Sequence, residues 1–367
     1  MHDMSQVRGL GDFAAGMVLT VEMAVMALAS VVASRIFVGR SLLLLSLIGL
    51  VLAIAGNALA LMAPSYTILL VARGLAGTGA GLGLMMMNST AALFLDPDRA
   101  FARLSVISIV FGMVITGVMP MIQHVPGFSS PFAMVLLSLL ATVPAVALLP
   151  SALVVRASEP HPQQAMARGS GYRLATLVVI TFLIGCASGT MWVFYALIGQ
   201  QAGLDMAGID GAISMSVFAA LLAAGAASLI GGRLGRVVPV MIGLAVLTAA
   251  IAVLSNHPGA MAFRLATMAN VGALYFLTPY LFGAAAAQDP SGRGAVYVGS
   301  AFYLTGAVGP AFGGLISTTI GMEVVGTATI VIAIGSAFAI WWLERGGPRH
   351  GQDFAHEGPV MAFHAQD

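Results

Sequence analysis

Glu22, Arg73 and Arg264 lie inside apolar stretches, where a charge is costly. A carboxyl group surrounded by hydrocarbon can take up and release a proton, so Glu22 is a candidate proton-coupling or substrate-contacting group. Arginine stays charged in proteins, so each arginine needs a carboxylate, carbonyl oxygens or an anionic ligand. The alternatives are structural. Glu22 is then neutral and bonded to a neighbour, and the arginines pair with carbonyls or Glu22, or extend towards headgroups.

Polar and aromatic side chains continue along the same stretches at helical spacing, which indicates two helix faces that could line a cavity. These faces hold Arg73 and Asn88 on one stretch, and Arg264, Tyr275 and Thr278 on another. Trp192 and Tyr195 follow each other on a third stretch, and such a stripe suits a flat or amphipathic ligand. The alternative for these two aromatic residues is an interfacial belt between bilayer and water.

The elements that must position these residues are eleven apolar stretches, each predicted to be a helix. Hydrophobic residues make up 59% of the 367 residues and charged residues 8%, against about 25% charged in soluble domains. Most stretches reach the ~20 residues that cross a bilayer, where a helix satisfies its own backbone. The predicted helices are 13–34, 41–62, 66–95, 104–122, 132–150, 174–199, 208–231, 237–255, 260–287, 295–319 and 323–343. The sequence therefore predicts an all-α, multi-pass membrane protein.

The distribution of arginine predicts the topology. All 15 basic residues are arginine, and twelve of them lie in alternate connections or in the tail, whereas the other connections hold only Arg8. Positive charge is retained in cytoplasmic loops, so the carboxyl terminus is predicted to be cytoplasmic. The Ala-, Gly- and Arg-rich composition without lysine favours a bacterial inner membrane. The twelve arginines are Arg35, Arg40, Arg99, Arg103, Arg156, Arg168, Arg173, Arg233, Arg236, Arg293, Arg345 and Arg349.

The chain divides at a polar connection into two halves that resemble each other. We predict a five-helix bundle over 1–150, a cytoplasmic linker over 151–173, a six-helix bundle over 174–343 and a disordered cytoplasmic tail over 344–367. Each half has an arginine-containing helix, followed by a glycine-rich helix that ends near proline. The helix at 174–199 has no counterpart in the first half, so we expect a twelve-helix architecture without its first helix. Internal helical repeats are typical of secondary transporters.

Two motifs give the chain a resemblance to the major facilitator superfamily. Arg73-Gly74-Leu75-Ala76-Gly77 matches the family's helix-four arginine motif, and Gly309-Pro310-Ala311-Phe312-Gly313-Gly314 matches its Gly-Pro-x-x-Gly-Gly element. The loop motif Asp-Arg-x-Gly-Arg is altered, because Ser34-Arg35 to Gly39-Arg40 lacks the aspartate. The resemblance implies two helical bundles that rock around a central site, with Arg73 and the helix at 174–199 facing the interior. The glycines and proline are expected to serve packing and gating: Gly77, Gly81, Gly309, Pro310, Gly313 and Gly314.

These observations predict a secondary active transporter that moves a small molecule by alternating access, coupled to protons through Glu22. The two arginines favour an organic anion as substrate. No cofactor, metal site or nucleic-acid partner is expected, an enzyme is not indicated, and a monomer is expected. Asp96-Pro97-Asp98-Arg99 is predicted to be a turn with a topological and structural role. A truncated or non-transporting membrane protein is the alternative.

Overall fold

The computed structural model describes residues 12–37, 40–122, 131–147, 170–289, 291–319 and 322–345. Within these ranges it contains eleven α-helices and one short 3₁₀ helix, Gly231–Leu234, and no strand. The helices are α1 Asp12–Ile36, α2 Leu42–Met62, α3 Tyr66–Ala91, α4 Pro97–Ile122, α5 Pro131–Ala147, α6 Ser170–Gln201, α7 Met206–Ile230, α8 Val237–Leu254, α9 Ala260–Gln288, α10 Arg293–Thr319 and α11 Met322–Arg345. The predicted all-α fold is confirmed.

Nine of the described helices are long and apolar enough to cross a membrane. Helix α5 is shorter, with an apolar segment over Phe132–Pro144. Because no water reaches the bilayer interior, helices of this kind satisfy their backbone polar groups internally. The chain is therefore a multi-pass membrane protein, as the composition predicts.

Local chemistry explains where several helices begin. The Ser65 hydroxyl accepts a hydrogen bond from the Ile68 amide at the start of α3, and the Asp205 carboxylate accepts one from Gly208 at the start of α7. Helix α4 begins at Pro97 and not near residue 104 as predicted. Proline at the first helical position and an acid in the first turn, here Asp98, favour this earlier start.

The packing of the two halves follows a common pattern. In the first half, α3 packs between α1 and α2, and α5 packs on α2; in the second half, α9 packs between α7 and α8, and α11 packs on α8. The halves meet where α1 lies along α10, and where α4 lies along α7 and α9. Helix α6 packs along α10, whereas no described first-half helix takes the equivalent place along α4.

Close helix approach in the first half depends on glycine. A methyl group at Gly77 would lie 2.6 Å from the Glu22 carbonyl oxygen, and one at Gly81 would lie 2.5 Å from the Met26 carbonyl oxygen. A methyl group at Gly56 would collide with the backbone of Ala76. Helix α3 therefore lies against α1 and α2 at a separation that only glycine allows at these points.

The end of the molecule at which α1, α7 and α9 finish and α2, α4, α8 and α10 begin is called here the arginine-rich end. Its described arginines include Arg35, Arg40, Arg99, Arg103, Arg173, Arg233, Arg236 and Arg293. The predicted linker lies almost entirely outside the described residues, as does the predicted tail beyond Arg345.

Candidate functional site

The two ionisable residues predicted inside the first half form an ion pair. Arg73 on α3 and Glu22 on α1 approach to 3.2 Å between Nη1 and Oε2, and to 3.3 Å between Nη1 and Oε1. The Arg73 side chain is 3% exposed, whereas that of Glu22 is 28% exposed. The Glu22 carboxylate is therefore the partly exposed member of the pair, and the Arg73 guanidinium is buried.

Two further side chains fix the Arg73 guanidinium. Nη2 donates to Asn57 Oδ1 on α2 at 2.9 Å, and the guanidinium carbon lies 4.6 Å from the centre of the Phe132 ring on α5. Asn57 is itself oriented, because its Nδ2 donates to the Ala53 carbonyl at 2.8 Å. The Nε atom of Arg73 is buried without a hydrogen-bond partner among the described residues. Four helices thus converge on one cation.

A second cluster lies in the second half, around Tyr195 on α6. The Tyr195 side chain is 1% exposed, and its hydroxyl accepts a 2.7 Å hydrogen bond from Asn270 Nδ2 on α9. Its ring lies 5.7 Å from the Trp192 ring and 6.1 Å from the Phe263 ring, between centroids. Trp192 is half exposed, and its inner side packs against the buried Tyr195 ring.

An interbundle pocket of about 310 Å³ lies near the middle of four helices, α4 from the first half and α6, α7 and α9 from the second. Its volume falls at the lower limit of typical small-ligand sites. Trp192 and Tyr275 contribute rings, and Ser108 and Thr116 contribute hydroxyl groups. The remaining lining is apolar or backbone: Ile109, Gly112, Met113, Val217, Ala220 and Val271. The pocket suits a small molecule that carries apolar or aromatic groups.

The arginine-rich end is held closed by contacts between the halves. Asp98 on α4 accepts two hydrogen bonds from Arg236 Nε, at 3.0 and 3.1 Å, and is 5% exposed. The Arg35 guanidinium donates to the Tyr297 hydroxyl at 3.2 Å and lies over its ring. Side-chain contacts of this kind can be broken and remade without unfolding either half.

The closure is tight between α1, α3 and α10. The Ser30 and Ser300 hydroxyl groups share a 2.5 Å hydrogen bond. Gly292, with φ of 77°, allows the turn before α10 to approach the Ser89 carbonyl. A methyl group at Gly299 would collide with the Asn88 amide. We call these contacts, together with the Asp98–Arg236 and Arg35–Tyr297 pairs, the interbundle closure.

The candidate residues from the sequence are distributed over several places. Glu22 and Arg73 meet in the ion pair, and Trp192 and Tyr275 lie in the pocket. Asn88 lies in the closure, 0% exposed, with both side-chain polar atoms unpartnered among the described residues. Arg264 is exposed near the start of α9.

The remaining candidates are bonded within or between helices. Thr278 Oγ1 donates to the Leu274 carbonyl of its own helix at 2.7 Å. The Gly309 carbonyl accepts a 3.2 Å hydrogen bond from Thr190 of α6. Pro310, Gly313 and Gly314 belong to α10, and their side-chain surroundings lie outside the described part.

Sequence reasoning missed Asn57 and assigned Asp98 to a turn. A lone asparagine in the otherwise apolar stretch of α2 was the available signal for Asn57, since polar groups in such stretches seek partners. Asp98 carries no local signal, because its partner Arg236 is 138 positions away in the chain.

Solved structures of transporters share this fold. The human organic anion transporter TETRAN matches with a TM-score of 0.71 at 17% identity, over 89% of this chain and 82% of that one. The E. coli fucose:proton symporter matches with a TM-score of 0.61 at 16% identity, over 89% and 91%. A bacterial homologue of the iron transporter ferroportin, outward-facing with soaked iron, matches with a TM-score of 0.69 at 13% identity, over 93% and 92%.

No protein-family model and no curated protein sequence matches the chain. The structural likeness establishes the fold of major facilitator transporters, which is the fold that the two sequence motifs imply.

Proposed function

We propose that the protein is a secondary active transporter that moves a small organic molecule across the cell membrane by alternating access. The observation that carries the proposal is the interbundle pocket, which is lined by α4 on one side and by α6, α7 and α9 on the other. A ligand held between two halves is exposed to one side or the other as the halves rock. The transporter fold supports the same reading.

The interbundle closure supports a two-state cycle. It consists of an ion pair, hydrogen bonds and glycine contacts between the halves. Positive charge favours a cytoplasmic position for the arginine-rich end, and closure at that end is what an outward-facing state requires. Breaking the closure then gives the inward-facing state.

Proton coupling and an organic anion are the finer parts of the proposal. Glu22 lies well inside a membrane-length helix, whereas Asp98 and Asp210 lie within the first turns of theirs. Its carboxylate is also partly exposed, which favours it as the proton carrier. The similar structures include an organic anion transporter and a proton symporter. Their identities are below 20%, so the argument for this chain depends on its own residues.

The test uses purified full-length protein in liposomes that contain a pH-sensitive dye. A panel of organic acids, sugars and amines is added outside one compound at a time, and the internal pH is followed. The proposal expects a saturable proton flux with one compound class, which Glu22→Gln abolishes while the mutant protein remains folded. A flux with unchanged pH dependence in Glu22→Gln contradicts proton coupling at Glu22. A protein that stays in a single conformation under all conditions supports the non-transporting alternative.

A further inference from the structure

The balance of charge at Arg73 restricts what Glu22 can do. Arginine cannot lose its proton under physiological conditions, and Arg73 is 3% exposed. If Glu22 takes up a proton, the guanidinium keeps its charge and loses its counter-ion. An uncompensated buried charge is strongly unfavourable. Protonation of Glu22 is therefore unfavourable unless another anion takes its place at Arg73.

The surroundings of Glu22 offer no other counter-charge among the described residues. Helix α1 packs against α3 and α10. Helix α3 carries Arg73 and Tyr66 as its ionisable groups, and Tyr66 donates to the Ala14 carbonyl. On α10, Arg293 and Tyr297 lie at the arginine-rich end, and Tyr303 lies one turn from the α1 contact at Gly306. Helices α2 and α5 carry no ionisable side chain.

Arg73 is arranged as a receptor for a planar anion. Asn57 holds Nη2, the Phe132 ring covers one face, and the Nη1 edge points at the two oxygens of Glu22. The buried Nε is an additional unpartnered donor. A guanidinium fork binds carboxylates through two parallel N–H donors, so a second carboxylate could occupy the place that Glu22 holds.

We propose that Arg73 forms a binding site for a carboxylate-type organic anion, and that Glu22 occupies this site in the present structure as an internal substitute. When the external anion binds, Glu22 leaves Arg73 and takes up a proton, so one anion and one proton bind together. Asn57 is a positioning residue that keeps the fork aimed at the ligand. As a route of transport this deepens the function proposed above, but as a binding site it does not depend on transport.

The test measures binding to the full chain in detergent, with benzoate as the probe and neutral benzamide as the matched control. A ligand that binds only the folded state raises the melting temperature, by an amount that grows with the logarithm of its concentration divided by its Kd. Because one proton accompanies each anion, the apparent affinity for benzoate should rise by about tenfold for each pH unit of acidification, over the range in which binding takes up one proton. Benzamide should have no effect.

Substitutions separate a ligand site from a structural ion pair. Glu22→Gln removes the internal substitute, so benzoate should bind more tightly than in the wild type and without pH dependence. Adding Arg73→Gln to this variant should abolish the binding. Asn57→Leu should weaken benzoate at least tenfold. Asp205→Asn makes the same carboxylate-to-amide change at the exposed cap of α7 and should leave benzoate binding unchanged.

Each outcome decides for or against the site. Equal gains in Glu22→Gln and Asp205→Asn would mean that the loss of any carboxylate favours benzoate binding, which overturns the proposal. Absence of pH-dependent stabilisation in the wild type overturns it as well. If Glu22→Gln does not fold, proton uptake by the wild type on adding benzoate in weak buffer decides, with one proton per bound benzoate expected. Benzoate binding without flux in liposomes supports the site and refutes transport of this probe. Saturable flux of another compound without benzoate binding supports transport and refutes the site.

Discussion

The Asp98–Arg236 pair should control the balance between the closed and open forms of the arginine-rich end. Asp98 is 5% exposed and Arg236 20% exposed, and the two bonds between them are 3.0 and 3.1 Å long. Gly283 of α9 packs directly on the Asp98 carboxylate. The substitution Asp98→Asn keeps the shape of the side chain and removes its charge, so it tests the ion pair without creating a cavity.

The expected magnitude comes from the burial of the two partners. Removing one member of a fully buried ion pair costs ~3–5 kcal/mol. Arg236 retains some contact with water, and the new amide can still accept one hydrogen bond, so we expect a loss of about 2 kcal/mol in the closed form. Since ~1.4 kcal/mol corresponds to a factor of ten, the ratio of closed to open molecules should fall by about thirtyfold.

Cysteine alkylation measures this ratio. Cys186 is the single cysteine of the chain, so a Cys186→Ser background permits one reporter. Ser89→Cys places it in the closure, at a position 8% exposed, where it reacts only when the arginine-rich end opens. Asp98→Asn should raise the rate of alkylation by about thirtyfold if opening and closing are fast compared with the reaction.

The matched control is Asp205→Asn, which makes the same change at an exposed helix cap at the opposite end. It should leave the alkylation rate within about twofold of the reference. An unchanged rate in Asp98→Asn, with full reactivity of the unfolded protein, would refute the role given to this pair.

Three other substitutions have expected outcomes. Gly79→Ala inserts a methyl group into the α2 backbone and should lower the free energy of unfolding by ~1–3 kcal/mol. Gly83→Ala meets no atom within 4 Å and should not lower it in the same melting experiment, because alanine is the better helix former. Asn270→Leu leaves the Tyr195 hydroxyl buried without this donor and should lower the free energy of unfolding by ~1–3 kcal/mol, part of which Tyr195→Phe should restore. Trp192→Ala should raise the KM of transport at least tenfold with little change in melting temperature, because the side chain is half exposed.

Most of the fold could be predicted because an apolar segment that enters a bilayer must form a helix to satisfy its backbone hydrogen bonds. Stretches without charge must be helical, and the arginines mark the connections on one side. The boundaries were less accurate at polar ends. Helix α4 continues through Arg99 and Arg103 to Pro97, since a helix does not need to end where hydropathy falls.

Only those features of the site that follow from the type and position of single residues could be predicted. A glutamate and an arginine inside apolar helices need a partner, so a contact between Glu22 and Arg73 was one of the alternatives considered. Their contacts with Asn57 and Phe132 depend on how four helices are rotated relative to one another, and the hydrophobic periodicity of the sequence does not specify those rotations. The Asp98–Arg236 pair likewise depends on how α4 lies against the second half.

The most direct test of alternating access is a pair of spin-label distance measurements across the halves, in wild type and Asp98→Asn. One label pair lies at the arginine-rich end, on the exposed residues Arg40 and Leu234, and the other lies at the opposite end, on Met62 and Asn256. Alternating access predicts that Asp98→Asn lengthens the first distance and shortens the second in the same molecules. Unchanged distances, or a longer first distance with no change in the second, would contradict the proposed function.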